Sequence, residues 1–169
     1  DAFYDACDAL GLLVWQDLMF ACSLYPADDA FLASCRAEVT HQVTRLRDHP
    51  CIALWCGDNE LHGALGWYPE ARERRDTYLV CYDRLNRTLA AAVGAADPTR
   101  TFWPSSPCNG PDSFDGWHDD TRGDMHYWAV WHSGKSIDAY YDVVPRFCSE
   151  FGYQSFPSKT TVAKYARPE

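Results

Sequence analysis

Glu60 and Glu150 are the two side chains best placed for chemistry. Each follows directly on a short apolar run. Cys51-Ile52-Ala53-Leu54-Trp55-Cys56 leads into Gly57-Asp58-Asn59-Glu60, and Arg146-Phe147-Cys148-Ser149 leads into Glu150. A carboxyl at the end of a buried strand sits against apolar walls, and two neighbouring carboxyls push one pKa upward, so that one can stay protonated while the other is ionised. Two such groups flanking one bond meet the requirement of glycoside hydrolysis: one protonates the leaving oxygen, the other attacks or activates water. A gap of about 5 to 5.5 Å gives retention and a wider one inversion, a distance that spacing along the chain does not set. The chain has 24 acidic residues, most of them expected on the solvated surface, so strand-end position is what singles out this pair.

The elements that must hold the pair alternate in type. Phe3 to Leu10 reads as the end of a helix with Gly11 as its left-handed cap. Leu12 to Trp15 reads as a short strand ending in Gln16-Asp17. Asp28 and Asp29 cap a helix with Phe31, Cys35, Val39, Val43 and Leu46 on one face. Cys51 to Cys56 is a second strand. Tyr78, Tyr82, Leu85, Leu89 and Val93 mark a second long amphipathic helix, stopped by Gly94 and Pro98. Further strands are expected at Thr101–Trp103, Met125–Trp128 and Arg146–Ser149, and a closing helix from Pro157 through Tyr165. Apolar strands alternating with helices imply parallel strands and an α/β fold. Polar or aromatic residues gather at each strand's C-terminal end, as on the active-site face of a (β/α)8 barrel. A complete barrel takes about 250 residues, so residues 1–169 read as an incomplete one. A doubly wound sheet with a Gly-rich phosphate loop has no motif to support it.

Composition narrows the partners. A formal net charge of −9 argues against nucleic acid or an anionic membrane, which need clustered Lys and Arg. No apolar run is long enough to cross a bilayer, and the first residues lack the pattern of a signal peptide. The eight cysteines are scattered among apolar residues and read as free thiols in a reducing, by preference cytoplasmic, compartment. Cys51, Cys56 and His62 lack the paired spacing of structural zinc. Asn86-Arg87-Thr88 matches a glycosylation sequon but lies within a helix. No Gly-x-Ser-x-Gly elbow is present. Of the seven tryptophans, Trp15, Trp55 and Trp103 lie in strands and are expected in the core; Trp128 and Trp131 are the candidates to stack on a sugar.

Several stretches together resemble the family-2 glycoside hydrolases of β-mannosidase type. Phe3 to Asp8, Leu13 to Asp17, Phe20-Ala21-Cys22 and Tyr25-Pro26 look like that family's third-strand region. His49-Pro50 through Glu60 is similar to its fourth, with the Asn-Glu signature of the acid/base. Phe102 to Pro107 with Asn109-Gly110-Pro111 resembles the fifth; Trp117 to Asp120, Gly123 to Trp128 and Val130-Trp131-His132 the sixth; Phe147 to Gly152 with Gln154-Ser155 the seventh. Asp58 departs from the Asn of many members. The first, second and eighth strands, the Trp-Gly-Gly stretch and the flanking β-sandwich domains have no counterpart in residues 1–169.

The resemblance implies strands three to seven of a catalytic TIM barrel. It implies retaining exo-β-mannosidase action on terminal non-reducing β-D-mannose, with Glu60 as acid/base, Glu150 as nucleophile and no cofactor. It implies Asn59 on the sugar 2-hydroxyl. Tyr127, by its place on the sixth strand, is the candidate to orient Glu150. His118, Asp119, Asp120, Asp124 and His126 could suggest a metal site; the resemblance instead gives them hydrogen-bonding roles in a rigid loop, with no metal. Another β-glycoside as substrate, a catalytically dead carbohydrate-binding relative and an inactive remnant are the alternatives.

Overall fold

Helix α1 (Ala2–Leu10) ends where Gly11 turns left-handed at φ 67°, with Leu12 N–H donating to Cys7 O at 2.9 Å. This is the Schellman arrangement, which satisfies carbonyls the helix would leave unpaired. It draws Leu12 into the cap, so β1 (Val14–Asp17) starts two residues later than the expected strand at 12–15. The computed structural model describes residues 1–111, 113 and 119–166. Trp117 and His118, named above, lie outside the described residues.

Helix α2 (Asp29–Leu46) is capped by Asp28, whose carboxylate accepts from Phe31 N–H at 3.0 Å. Its buried residues Leu32, Cys35, Val39, Val43 and Leu46 recur at three and four positions, one continuous face. Phe31 is only partly buried and stacks on Tyr25. That face packs against Tyr82, Leu85, Leu89, Ala92, Val93 and Ala96 of a second long helix, α5 (Arg75–Ala96). Val39 and Val43 are fully buried, each contributing about 2 kcal/mol of apolar burial. The two helices cover one side of a parallel three-stranded ladder, ordered β1, β2 (Ile52–Cys56), β3 (Thr101–Trp103).

A second parallel ladder joins β4 (Met125–Tyr127) to β5 (Cys148–Phe151). The five expected strands therefore form two short ladders in a mixed α/β fold rather than one run of paired strands. β5 is displaced by two residues from the expected 146–149, so Glu150 lies within the strand. Two short helices, α3 (Leu61–Trp67) and α4 (Pro69–Glu73), fill a region where the sequence shows no strong period. With Gly63 and Gly66 and only seven residues, α3 carries too weak a pattern to be read. The closing helix shrinks to α6 (Lys159–Val162). None of its residues is buried, so no apolar face supports a longer one.

Gly57 lets β2 pass close to the end of β3. Its N–H donates to Trp103 O at 2.7 Å, and a Cβ there would stand 2.3 Å from Pro104 O. Asn86 of α5 binds that same Pro104 carbonyl at 2.7 Å, so the sequon asparagine is a brace. All eight cysteines are free thiols. No helix among the described residues is long and apolar enough to cross a membrane.

At the other end of the ladder Asp97 gathers three elements. Its carboxylate accepts from Trp55 Nε1 at 3.0 Å, Arg100 Nη1 at 2.7 Å and Thr99 Oγ1 at 2.6 Å. Arg100 in turn donates to the carbonyls of Arg47, His49 and Ile52. Burial alone would raise the Asp97 pKa, but the hydrogen bonds from Thr99, Trp55 and Arg100 outweigh it and hold it well below the usual range. A depressed folded pKa stabilises the fold above the ordinary carboxylate range and is lost as pH falls below about 4. Thermal melts should show the wild type weakening over that acid range. Asp97→Asn should be less stable at pH 7 by about 2 kcal/mol and should lose much of the acid dependence.

Candidate active site

Glu60 stands at the junction of β2 and α3 with φ 60°, a left-handed conformation uncommon for glutamate. The backbone around it is tied on both sides. Asn59 N–H donates to Phe20 O, Glu60 N–H to Ser106 O and Ser106 N–H to Asp58 O, all at 2.7 to 2.9 Å. Asn59 thus bridges the segments after β1 and β3. The start of α3 is fixed by Asp58, whose carboxylate accepts from Leu61 N–H at 3.2 Å and Ser105 Oγ at 2.5 Å. Burial pushes the Asp58 pKa up to about 7, against those hydrogen bonds.

Glu150 arrives from the other ladder. Its partner in register on β4 is His126, and His126 is the group between the two carboxylates. Nδ1 of its fully buried ring lies 2.8 Å from Glu60 Oε1 and 3.3 Å from Glu150 Oε2. Its Nε2 meets Ser106 Oγ at 2.9 Å. Ser106 and Ser149 hydroxyls both donate to Asp124 Oδ2 at 2.6 Å, and Asp124 Oδ1 accepts from Trp103 Nε1 and Cys108 N–H. The imidazole is therefore braced from behind by a chain that crosses from β3 to β5. One oxygen of each glutamate and Nδ1 lie within 4.8 Å of one another. Among the described residues this is also a donor set able to hold a metal ion.

The environment of Glu150 is mixed. Burial raises its pKa, the charge of His126 lowers it, that of Glu60 raises it again, and a hydrogen bond from Trp128 lowers it; the net direction is up. Beside the pair opens a cavity of about 620 Å³ lined by Glu60, Trp67, His126, Tyr127, Trp128 and His132, among others. Such a volume suits a small ligand. Its lining sets the Glu60 carboxyl beside the aromatic rings of Trp67, Tyr127 and Trp128.

No protein-family model matches the chain. The β-mannosidase of Bos taurus is 43% identical over the whole of this chain, and β-mannosidase B of Thermothelomyces thermophilus is 40% identical over 97% of it. The crystal structure of the β-D-mannosidase of Dictyoglomus thermophilum matches 96% of the chain with a TM-score of 0.79 and 41% identity. The chain is a homologue of β-mannosidases. It spans about one fifth of the length of these relatives, 20% of the curated sequences and 19% of the solved chain.

In this β-mannosidase homologue the expected site residues separate into two groups. Glu60, Tyr127 and Trp128 line the cavity; Asn59 precedes Glu60 in the chain, and Glu150 meets His126 Nδ1 at 3.3 Å. Trp131 does not line the cavity; it packs edge-on against Tyr153 at 4.8 Å. The hydroxyl of Tyr127 does not reach Glu150 either and donates to Ala139 O at 2.8 Å. Side chains alternate along a strand, so with His126 turned toward the carboxylates its neighbour Tyr127 cannot share that direction. Of the tryptophans expected in the core, Trp55 is fully buried, while Trp15 and Trp103 are partly buried and line a separate hollow. Asp119 bonds Thr121 and Arg122, and Asp120 bonds Val144 N–H, so those two turn away from Asp124 and His126. His126 was legible only as a member of that acidic loop. The missing signal was strand phase: one residue's shift on β4 exchanges the roles of His126 and Tyr127.

Two carboxyls with raised pKa values place a cost on the fold that grows as pH rises from the ordinary carboxylate range. Asp58→Asn keeps an acceptor for Leu61 and Ser105 without the charge. Its thermal midpoint should equal or exceed that of the wild type at pH 8, the difference closing toward pH 4. Glu150→Gln should likewise be at least as stable as the wild type at pH 7, measured by urea titration.

Proposed function

We propose that the chain carries the catalytic pair of a retaining exo-β-mannosidase that releases terminal non-reducing β-D-mannose from β-mannosides. The approach of Glu60 and Glu150 to within 4.8 Å of one another across His126 carries this reading. Oxygens that near one another favour the short carboxyl separation of retaining enzymes over the about 6.5 Å or more that an intervening water requires. The match to β-mannosidases along the whole chain supports the choice of sugar. The parallel ladders, with both glutamates toward the C-terminal ends of their strands, support strands three to seven of a (β/α)8 barrel.

In this scheme Glu150, as carboxylate, attacks the anomeric carbon while Glu60 gives its proton to the departing oxygen. The glycosyl–enzyme ester forms and the aglycone leaves as an alcohol. Glu60, now ionised, takes a proton from water, which attacks the same carbon and releases Glu150. Charge thus passes from Glu150 to Glu60 and back. With the Ser106 hydroxyl hydrogen given to Asp124, His126 Nε2 meets Ser106 Oγ through its own hydrogen, so Nδ1 donates when the ring is an imidazolium. That hydrogen lies within reach of both glutamates and can follow the charge without any movement of the chain. Asn59 Oδ1 is buried and has no partner among the described residues, which leaves an acceptor for the sugar 2-hydroxyl. Trp128 lines the cavity and offers a ring to the sugar face. The rest of the barrel and the β-sandwich domains complete the enzyme.

The test is hydrolysis of aryl β-glycosides (manno, galacto, gluco, glucurono and N-acetylglucosaminide) by the full-length protein. The mannoside should be preferred in kcat/KM by about 100-fold or more, with the β-anomer formed first by proton NMR. Glu150→Ala should lose at least about 10³-fold in kcat. Preference for another sugar overturns the substrate, an α first product overturns retention, and an active Glu150→Ala overturns the scheme.

A further inference from the structure

Glu60 has two carboxylate oxygens, and His126 accounts for one of them. The other, Oε2, is met by the thiol of Cys22, with Sγ at 3.3 Å. Cys22 is not a casual neighbour. It sits on the segment after β1 in a left-handed conformation, φ 48°, which non-glycine residues adopt rarely. Its N–H donates to Asn59 O at 2.8 Å, and its carbonyl accepts from Tyr68 Oη at 2.7 Å. The Asn59 side-chain amide donates to the sulfur at 3.5 Å. The backbone of Cys22 is thus locked to the residue before Glu60, and a donor behind the sulfur leaves the S–H directed at the carboxylate.

We propose that Cys22 is a positioning residue for the acid/base. Its thiol donates to Glu60 Oε2 while His126 holds Oε1, and the two together fix the plane of the carboxyl beside the cavity. The inference rests on the reading of Glu60 as acid/base. The thiol is suited to this by staying protonated: burial, the hydrogen bond to Glu60 and the charge of Glu60 all push its pKa up. An S–H donor is weak, so it orients the carboxyl and favours its charged form only modestly, leaving Glu60 able to hold a proton in the resting enzyme. A lysine or arginine in the same place would keep Glu60 ionised and remove the acid.

The consequences separate an orienting role from a merely structural one. Removing the thiol should matter only where Glu60 must deliver a proton. Cys22→Ala in the full-length protein should lower kcat/KM for an alkyl β-mannoside, whose leaving group needs protonation, by about tenfold. It should leave kcat/KM for 2,4-dinitrophenyl β-mannoside within about twofold of the wild type, since that leaving group departs as the anion. Loss of a donor to the charged form raises the Glu60 pKa, so the alkaline limb of kcat/KM against pH should move to higher pH. Cys22→Ser, which restores a donor, should bring both the alkyl substrate and the pH limb back toward wild type. Unchanged kinetics of Cys22→Ala on both substrates would overturn the proposal. So would an equal loss on both with no pH shift, or a Cys22→Ser variant no better than Cys22→Ala. A wild type that turns over neither mannoside would instead overturn the acid/base reading itself, and this inference with it.

Discussion

One imidazole nitrogen faces two carboxylates, and much of the site is arranged around that meeting. Nδ1 of His126 can satisfy Glu60 or Glu150 but not both. Glu60 draws on a second donor, the Cys22 thiol, and Glu150 has the Trp128 indole near it. The ring has no latitude to choose between them by tilting, because it is fully buried and its Nε2 is engaged by Ser106. What can change is the charge on the carboxylates, and in a double displacement that is what alternates.

Asp124 gives this arrangement its rigidity. It accepts from two hydroxyls, an indole and a backbone amide, three of them from residues 103–108 and one from Ser149 on β5. Among the described residues β3 and β4 are not paired as strands; Asp124 links the two sides through its side chain and through its own N–H to Cys108 O at 3.1 Å. A buried carboxylate with full hydrogen bonding tolerates such a position, whereas one short of partners would not. Asp58 does similar work at the foot of α3, with Ser105 and Leu61 as donors, and burial raises its pKa.

The sequence made the scaffold legible where the signal is local. Caps at Gly11 and Asp28, the apolar faces of α2 and α5, and five short strands in order all depend on residues within a turn or two of each other. Glu60 and Glu150 were legible for the same reason, since each sits beside an apolar run. The contacts that organise them are not local. Cys22 and Glu60 are 38 positions apart, and His126 and Glu60 are 66 apart. Nothing in the spacing announces such pairs. Tyr127 was the candidate on β4 by its place on the sixth strand, and the pleat decided for its neighbour. The short helices after Glu60 were hidden by their glycines, and the closing helix was overestimated because its first residues look helical while offering nothing to bury.

The left-handed backbone at Glu60 has a consequence for how this position tolerates change. Only glycine, and less readily asparagine and aspartate, adopt that conformation without appreciable strain. A β-branched replacement would meet a steric objection before any question of proton transfer arose. Substitutions at residue 60 therefore sort along two independent axes, foldability and chemistry, and the residues kindest to the backbone differ from the one residue the reaction calls for. Glutamate here is a compromise in which the surrounding hydrogen bonds from Asn59, Ser106 and Phe20 absorb a local strain. The chemistry then inherits a side chain aimed by its own main chain, so direction at this site is stored in a torsion angle as much as in any contact.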